Sequence, residues 1–126
     1  LAFSTGSSWG TFAILIPIVT AIFSGGGNME MMVISISAVL AGAVCGDHVS
    51  PISDTTIMSS AGAQCHHIDH VSTQMQYAIV VAVVCVFGYL IAGFVQVWWI
   101  VLLISVAVLL TTLTIMRKYV NKKYSK

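Results

Sequence analysis

The stretch GDHVSPISDTT, residues 46–56, decides how this chain folds. It holds two of the four acidic residues, a histidine, a proline and four hydroxyl side chains. The apolar run MMVISISAVLAGAVC precedes it, and further weakly apolar sequence follows it. A concentration of charge between apolar segments needs a chemical explanation. The composition of the whole chain indicates the class of protein in which to look for it.

The chain belongs to the membrane class by composition. Of its 126 residues, 58% are hydrophobic and 7% are charged, with a mean hydropathy of +0.98. A soluble domain has about 25% charged residues, so this chain lacks the charge to cover a surface in water. The first charged residue is Glu30, and no basic region precedes it, which argues against a signal peptide. We expect the chain to be the C-terminal part of a longer membrane protein.

The basic residues are confined to the last ten positions. They are Arg117, Lys118, Lys122, Lys123 and Lys126. Under the positive-inside rule they predict a cytoplasmic tail over residues 117–126 of a multi-pass plasma (inner) membrane protein. Anionic lipid is the expected partner of such a tail. Nucleic-acid binding is not expected, because no aromatic and basic pattern accompanies the charges.

The second half of the chain predicts two membrane-spanning helices. Residues 71–116 contain no charged side chain, and a bilayer core needs roughly 20 helical residues for each span. We predict helices over residues 76–95 and 98–116. The polar sequence at residues 64–74 is predicted to form a cytoplasmic loop before them.

The first half is less regular. Residues 1–24 combine the polar, glycine-rich FSTGSSWG with a short apolar run that contains Pro17. Residues 31–63 are apolar on both sides of the stretch at 46–56. Short hydrophobic segments interrupted by glycine or proline are typical of discontinuous helices in secondary transporters. We therefore predict a re-entrant hairpin arm over 1–24 and a discontinuous helix over 31–63, broken near 47–54.

Proline chemistry explains the predicted break. Pro51 has no backbone N–H, so the carbonyl of Asp47 is expected to lose its helical partner. Ser50 precedes the proline and is pushed toward extended geometry. Ser53 or Asp54 has the side chain to cap a new helix. The local prediction is a helix, a break and a second half-helix.

The break is predicted to be a cation site. Carbonyl oxygens at a helix end carry partial negative charge, and hard oxygen ligands suit Na⁺ rather than zinc. An ionised carboxylate at the bilayer centre costs about 2.5 kcal/mol or more, so it needs either H⁺ or Na⁺. Such a group exchanges one for the other without a cofactor. The predicted ligands are Asp47, Asp54, Ser50, Ser53, Thr55 and Thr56, with Na⁺ held at the two aspartates.

Structural roles compete with this interpretation. Asp54 also suits a helix N-cap, and Asp47 suits a hydrogen bond across the break. His48, Asp69 and His70 are candidates for pH sensing, because histidine titrates near neutral pH. The Cys and His residues of CHHIDH have a spacing that fits no standard zinc site.

Two stretches resemble a known family. GDHVSPISDTTIMSSAGAQCHHIDHVSTQ, residues 46–74, is similar to the signature region of NhaC-type Na⁺/H⁺ antiporters, and FSTGSSWGTFAILIPI, residues 3–18, resembles that family's other polar stretch. The resemblance implies an all-α, multi-span helical bundle that is one half of an inverted-repeat transporter, with the N-terminal half of the same protein as its partner. It also implies that a hairpin tip faces the break, formed by Ser4, Thr5, Gly6, Ser7 and Ser8.

The resemblance favours exchange of Na⁺ for H⁺ by a transporter that is not an enzyme. Exchange of Na⁺-lactate for protons and malate is the alternative within the same family, with small organic anions as further substrates. Val49 and Gln76 depart from the family's pattern, at positions where cysteine and proline are common. A cation channel is less favoured, and a membrane enzyme is disfavoured because no G-x-S-x-G pattern occurs. A homodimer is compatible with the sequence. We do not expect this chain alone to transport.

Overall fold

The computed structural model describes residues 1–124, and of residues 120 and 122–124 it describes the backbone alone. Over that range the chain forms helices and no strand, which confirms the all-α class. In chain order the helices are α1 (Ala2–Thr5), α2 (Ser8–Phe23), α3 (Met29–His48), α4 (Asp54–Gly62), α5 (His67–Val95) and α6 (Trp98–Tyr124).

Three of these helices are long and apolar enough to cross a membrane. They cover Met29–His48, His67–Val95 and Trp98–Tyr119 among the described residues. The 20 residues of α3 give about 30 Å, the thickness of a hydrocarbon core. Many of their large apolar side chains are exposed to the surroundings of the chain, as lipid-facing helices require. The membrane class predicted from composition is therefore confirmed.

Helices α5 and α6 extend beyond the predicted boundaries. The sequence predicts a loop over 64–74 and a tail over 117–126, whereas residues 67–74 and 117–124 are helical. Polar residues end a membrane span but not a helix, because lysine and arginine are good helix formers and Asp69 suits a first helical turn. The prediction for Lys126 and for the side chains of Lys122 and Lys123 lies outside the described part.

Residues 1–82 form one compact unit. In it α2 packs beside α3, and the short α1 packs against α3. The turn between α2 and α3 contains Gly26 at φ +94°, and the Asn28 side chain accepts the backbone N–H of Glu30 at 2.9 Å to cap α3. The predicted hairpin arm at 1–24 therefore consists of α1 and α2. Its depth in a membrane remains a prediction.

Small and polar residues form the centre of this unit. Its buried apolar residues are Ala2, Ala43, Val49 and Val71, and its buried polar residues are Thr11, Ser50, Ser53, Thr56 and Ser60. The largest fully buried side chains are two serines. Close backbone approach through small residues is the usual packing of helices in membranes.

The described residues from 83 to 124 form the second unit, which contains the end of α5 and all of α6. The two residues between the helices include Gln96, at φ +47°. A side chain at Gly88 would place its Cβ 3.0 Å from the hydroxyl of Ser105, so these helices approach closely at that point.

Candidate ion-binding site

The helix that contains the opening stretch is interrupted at residues 49–53. Helix α3 ends at His48, and α4 begins at Asp54. The carbonyl of Asp47 loses its helical partner at Pro51, as predicted, because proline has no backbone N–H, but the carbonyl finds another partner. The backbone N–H of Ser50 donates to it at 3.1 Å, through the tighter turn that often ends a helix. One lone pair of this carbonyl therefore accepts a hydrogen bond within the interruption.

The interruption is held against α1 by a serine. The hydroxyl of Ser50 donates to the carbonyl of Phe3 at 2.8 Å, and its oxygen accepts the backbone N–H of Ile52 at 3.3 Å. Ser50 is completely buried. One side chain thus satisfies two backbone groups that belong to segments far apart in sequence.

Two glycines allow this close approach. Gly6 ends α1 at φ +62°, and a Cβ there would lie 2.9 Å from the backbone carbon and oxygen of Ile52. Gly46 faces α1 from the last turns of α3, where a Cβ would lie 3.0 Å from the backbone nitrogen of Phe3. A larger residue at either place would separate α1 from the interruption.

The start of α4 is bound back to the end of α3. The hydroxyl of Thr56 donates to the carbonyl of His48 at 3.1 Å, and the hydroxyls of Ser53 and Thr55 lie 2.8 Å apart. Ser53 and Thr56 are buried, whereas Thr55 is exposed. A hydroxyl that donates its single proton to a carbonyl keeps two lone pairs. Ser50 uses one of them for the N–H of Ile52 and retains the other.

The two predicted carboxylates have different surroundings. Asp47 is half-buried one turn before the interruption, and its Oδ1 atom is buried without a hydrogen-bond partner among the described residues. Asp54 is exposed, and its Oδ1 accepts the N–H of Thr55 at 2.7 Å. Ser53 occupies the N-cap position, so Asp54 is the first residue of α4 rather than its cap.

The predicted hairpin-tip residues also differ in their contacts. Gly6 is the member that contacts the interruption. The hydroxyl of Thr5 donates to a carbonyl one turn earlier at 3.2 Å, and Ser7 caps α2 by accepting a backbone N–H at 3.2 Å. Ser4 is exposed and Ser8 is half-buried. The hydroxyls of Thr5 and Ser7 thus serve their own turns.

The candidate pH-sensing residues lie in separate contacts. The exposed ring of His48 contacts the side-chain amide of Gln74 in α5. Asp69 lies 4.0 Å from the ring of His66, with both side chains exposed. His70 is half-buried. In the described part of the chain, no group of three or more His, Cys, Asp or Glu side chains is arranged to hold a metal ion.

Sequence reasoning missed the role of His67. Its Nε2 lies 2.7 Å from the carbonyl of Pro51, and its Nδ1 lies 3.0 Å from the hydroxyl of Ser60. The side chain thus connects the start of α5 with both the interruption and α4. A contact across sixteen residues leaves no spacing signal in the sequence, and the only visible hint was a histidine within a polar turn.

An interrupted helix with an unpartnered carboxylate oxygen, set among apolar helices, is typical of secondary transporters. The comparisons agree with this class. The model of the Na⁺/H⁺ antiporter family matches residues 1–94, and the chain belongs to that family. The resemblance read from residues 3–18 and 46–74 is therefore confirmed. The matched family and its characterised relatives are transporters, not enzymes.

Three curated relatives match about three quarters of the chain. An uncharacterized protein of Haemophilus influenzae is 56% identical over 94 residues, 75% of this chain and 18% of the relative. A malate-2H⁺/Na⁺-lactate antiporter of Bacillus subtilis is 31% identical over 75% of this chain and 20% of its own length. An arginine/ornithine antiporter, ArcD, of Halobacterium salinarum is 33% identical over 74% of this chain and 19% of its own length.

The chain thus spans about a fifth of the length of the curated relatives it matches. No solved structure matches it. The family match contains the whole interruption and nearly all of α5, whereas α6 lies beyond its last residue.

Proposed function

We propose that the complete protein exchanges Na⁺ for H⁺ and that the interruption at residues 49–53 lies at its cation site. The observation that carries the proposal is the buried Oδ1 of Asp47, which has no hydrogen-bond partner among the described residues. Buried polar atoms are nearly always satisfied, so an unsatisfied carboxylate oxygen needs an explanation such as an ion. A bound proton or a bound Na⁺ would each complete it.

The side chains of the interruption suit a hard cation. The buried hydroxyl oxygens of Ser50, Ser53 and Thr56 lie in and directly after the interruption. Oxygen donors of this kind match Na⁺. No lysine or arginine occurs before residue 117, so no permanently charged basic side chain of residues 1–116 neutralises Asp47.

Asp54 has the second role in this proposal. It is exposed at the first turn of α4, where a carboxylate is also favoured by the helix dipole. Together with the exposed Thr55 it would attract Na⁺ from water and pass it to Asp47. Loss of Asp54 would then weaken capture of Na⁺, whereas loss of Asp47 would abolish exchange.

Organic-anion exchange is the second candidate, and the Bacillus subtilis relative favours it. A carboxylate substrate requires positive charge or helix N-termini. Residues 1–116 contain no lysine or arginine, so a basic anchor for the anion would come from another part of the complete protein. In this version the interruption still holds Na⁺, and the anion travels with it.

We also propose that the protein resides in the plasma membrane with its basic C-terminus in the cytoplasm. The positive-inside rule supports this orientation. It places the start of α5, with its polar residues, on the cytoplasmic side.

The test uses inverted membrane vesicles that contain the complete protein and carry a proton gradient. A dye reports internal pH when NaCl is added, for wild type, Asp47→Asn, Asp54→Asn and the control Glu30→Gln. Glu30 is the exposed acid at the other end of α3. We expect Na⁺ to dissipate the gradient in wild type and in the control, more weakly in Asp54→Asn, and not in Asp47→Asn.

The outcomes separate the candidates. A response that requires malate or lactate together with Na⁺ would favour organic-anion exchange. Activity in Asp47→Asn equal to that of wild type would refute the proposed cation site. The orientation is tested with a cysteine placed in the C-terminal tail. A membrane-impermeant thiol reagent should label it in inverted vesicles and not in intact cells.

A further inference from the structure

The contacts of His67 connect three segments that surround the interruption. Helix α4 ends in a turn in which Gln64 adopts φ +52° and the N–H of Cys65 donates to the carbonyl of Ser60 at 3.1 Å. This turn reverses the chain and brings His67, the first residue of α5, back toward α4 and the interruption. The half-buried ring then contacts Pro51 on one side and Ser60 on the other.

The number of hydrogen bonds in this cluster depends on a proton. The carbonyl of Pro51 only accepts, so Nε2 of His67 must donate to it. The hydroxyl of Ser60 lies 2.9 Å from the carbonyl of Ile57 and 3.0 Å from Nδ1 of His67. Because Ser60 has one proton and the Ile57 carbonyl only accepts, both contacts are satisfied together only when Nδ1 also carries a proton.

The two protonation states of His67 therefore differ by one hydrogen bond. The imidazolium donates from Nε2 to Pro51 and from Nδ1 to Ser60, and Ser60 in turn donates to Ile57. In the neutral ring with its proton on Nε2, the Ser60 proton serves either Nδ1 or Ile57. Histidine is the side chain that proteins commonly use for proton-dependent contacts of this kind.

We propose that His67 is a positioning residue for the helix interruption. Its contacts with the Pro51 carbonyl and the Ser60 hydroxyl form a latch between the interruption, α4 and α5, and this latch has one more hydrogen bond when the ring is protonated. It acts through the Pro51 carbonyl and through α4 and does not touch the proposed cation ligands. Any effect of the latch on ion exchange rests on the proposed function, but the latch itself does not. The predicted pH sensors were other residues, so this proposal assigns the proton-dependent contact to a different histidine.

Other titratable groups occur on the segments near the interruption in the sequence or in the fold. On the neighbouring segments they are the Leu1 amino group, Asp47, His48, Asp54, Cys65, His66, Asp69 and His70. Within the part of the chain that the structure describes, His66 pairs with Asp69, His48 contacts Gln74, and Asp54 accepts the N–H of Thr55. The Cys65 thiol lies 3.6 Å from the backbone carbonyl of Ser60. The ring nitrogens of His67 contact Pro51 and Ser60.

The latch is tested by hydrogen exchange of the complete protein in detergent at about pH 6 and pH 8. Rates for peptides that cover residues 49–60 are corrected for the intrinsic pH dependence of amide exchange. One net hydrogen bond corresponds to a change of roughly three- to ten-fold in local opening. We expect wild type to exchange that much more slowly at pH 6 than at pH 8 after correction.

Three variants identify the responsible group. His67→Gln keeps an amide N–H for Pro51 but does not titrate, so its pH difference should vanish. Ser60→Ala removes the acceptor for Nδ1 and keeps the Pro51 contact, so its pH difference should vanish as well. His66→Gln, an exposed neighbour in the same turn, should retain the full difference. If His67→Gln does not fold, Ser60→Ala decides between the outcomes.

The proposal is overturned if wild type shows no corrected pH difference, or if Ser60→Ala or a folded His67→Gln retains it. Na⁺-driven proton exchange, measured on the same variants, keeps the two proposals separate. A pH-dependent latch in a wild-type protein that does not respond to Na⁺ supports the latch and contradicts the proposed function. Na⁺-driven proton exchange in a wild-type protein whose corrected hydrogen exchange is the same at both pH values supports the proposed function and contradicts the latch.

Discussion

The interruption and the pair of helices near the C-terminus show two ways of building a membrane protein. Around the interruption, Ser50, Ser53 and Thr56 are buried, and the hydroxyls of Ser50 and Thr56 donate to backbone carbonyls of other segments. In residues 83–119 the hydroxyls of Thr111 and Thr112 donate within their own helix, and many large apolar side chains are exposed. One region is specified by polar contacts between segments, the other by its own helices.

The difference follows from where backbone groups find partners. A continuous helix satisfies its own carbonyls and amides, so apolar side chains suffice around it in lipid. An interrupted helix leaves backbone groups that other segments must satisfy. Small residues and hydroxyls do this here, and Oδ1 of Asp47, in the last turn of α3, is buried without a partner among the described residues. We therefore expect substitutions near the interruption to cost far more than matched substitutions in the apolar pair.

The largest effect on stability is expected at Gly6. Alanine there would adopt a left-handed conformation that costs about 1–2 kcal/mol, and its Cβ would meet the backbone of Ile52 at 2.9 Å. Overpacking adds about 1–3 kcal/mol. Gly6→Ala should lower the unfolding temperature of the complete protein in detergent. Gly42→Ala in α3, which meets nothing within 4 Å, is the control and should leave it unchanged or raise it.

A smaller loss is expected from Ser50→Ala. The substitution removes the buried Ser50 hydroxyl, which donates to the Phe3 carbonyl and accepts the N–H of Ile52, at a cost of about 1–3 kcal/mol. Ser59→Ala is the control, because Ser59 is exposed and donates within its own helix at 2.7 Å. Thermal unfolding of both variants checks the difference. Equal melting temperatures would show that the contact with α1 adds nothing to stability.

The smallest effect is expected at Gly88 in the apolar pair. A Cβ there would lie 3.0 Å from the hydroxyl of Ser105, which can rotate away, and alanine favours a helix by about 1 kcal/mol. We expect Gly88→Ala to change stability by less than about 1 kcal/mol. Gly93→Ala, which meets nothing within 4 Å, is the control. A loss at Gly88 as large as that at Gly6 would contradict the contrast between the two regions.

Local chemistry made part of this fold predictable from sequence. Apolar runs identified the long helices, and Pro51 marked the place where α3 gives way to α4. Contacts between distant residues were not predictable, because the hydrogen bond from Ser50 to Phe3 spans 47 residues and that from His67 to Pro51 spans 16. The ends of α5 and α6 were placed too close to the apolar core, since polarity limits a membrane span without ending a helix.

The candidate site was predictable as a set of residues but not as a geometry. The sequence predicts the same role, Na⁺ ligand, for Asp47 and Asp54. In the described part of the structure, Asp47 has a buried oxygen without a hydrogen-bond partner, whereas Asp54 is exposed. Burial depends on what packs alongside, and here the approach of α1 through Gly6 and Gly46 has no local signature. The roles of both aspartates in ion exchange remain predictions.

The most direct test is proton release by the purified complete protein when Na⁺ is added in weakly buffered detergent. If the Asp47 carboxylate holds either H⁺ or Na⁺, NaCl should release protons from wild type and from Glu30→Gln, and choline chloride should not. Asp47→Asn should release none. Undiminished Na⁺-dependent release from folded Asp47→Asn would contradict the assignment of this carboxylate as the exchange site.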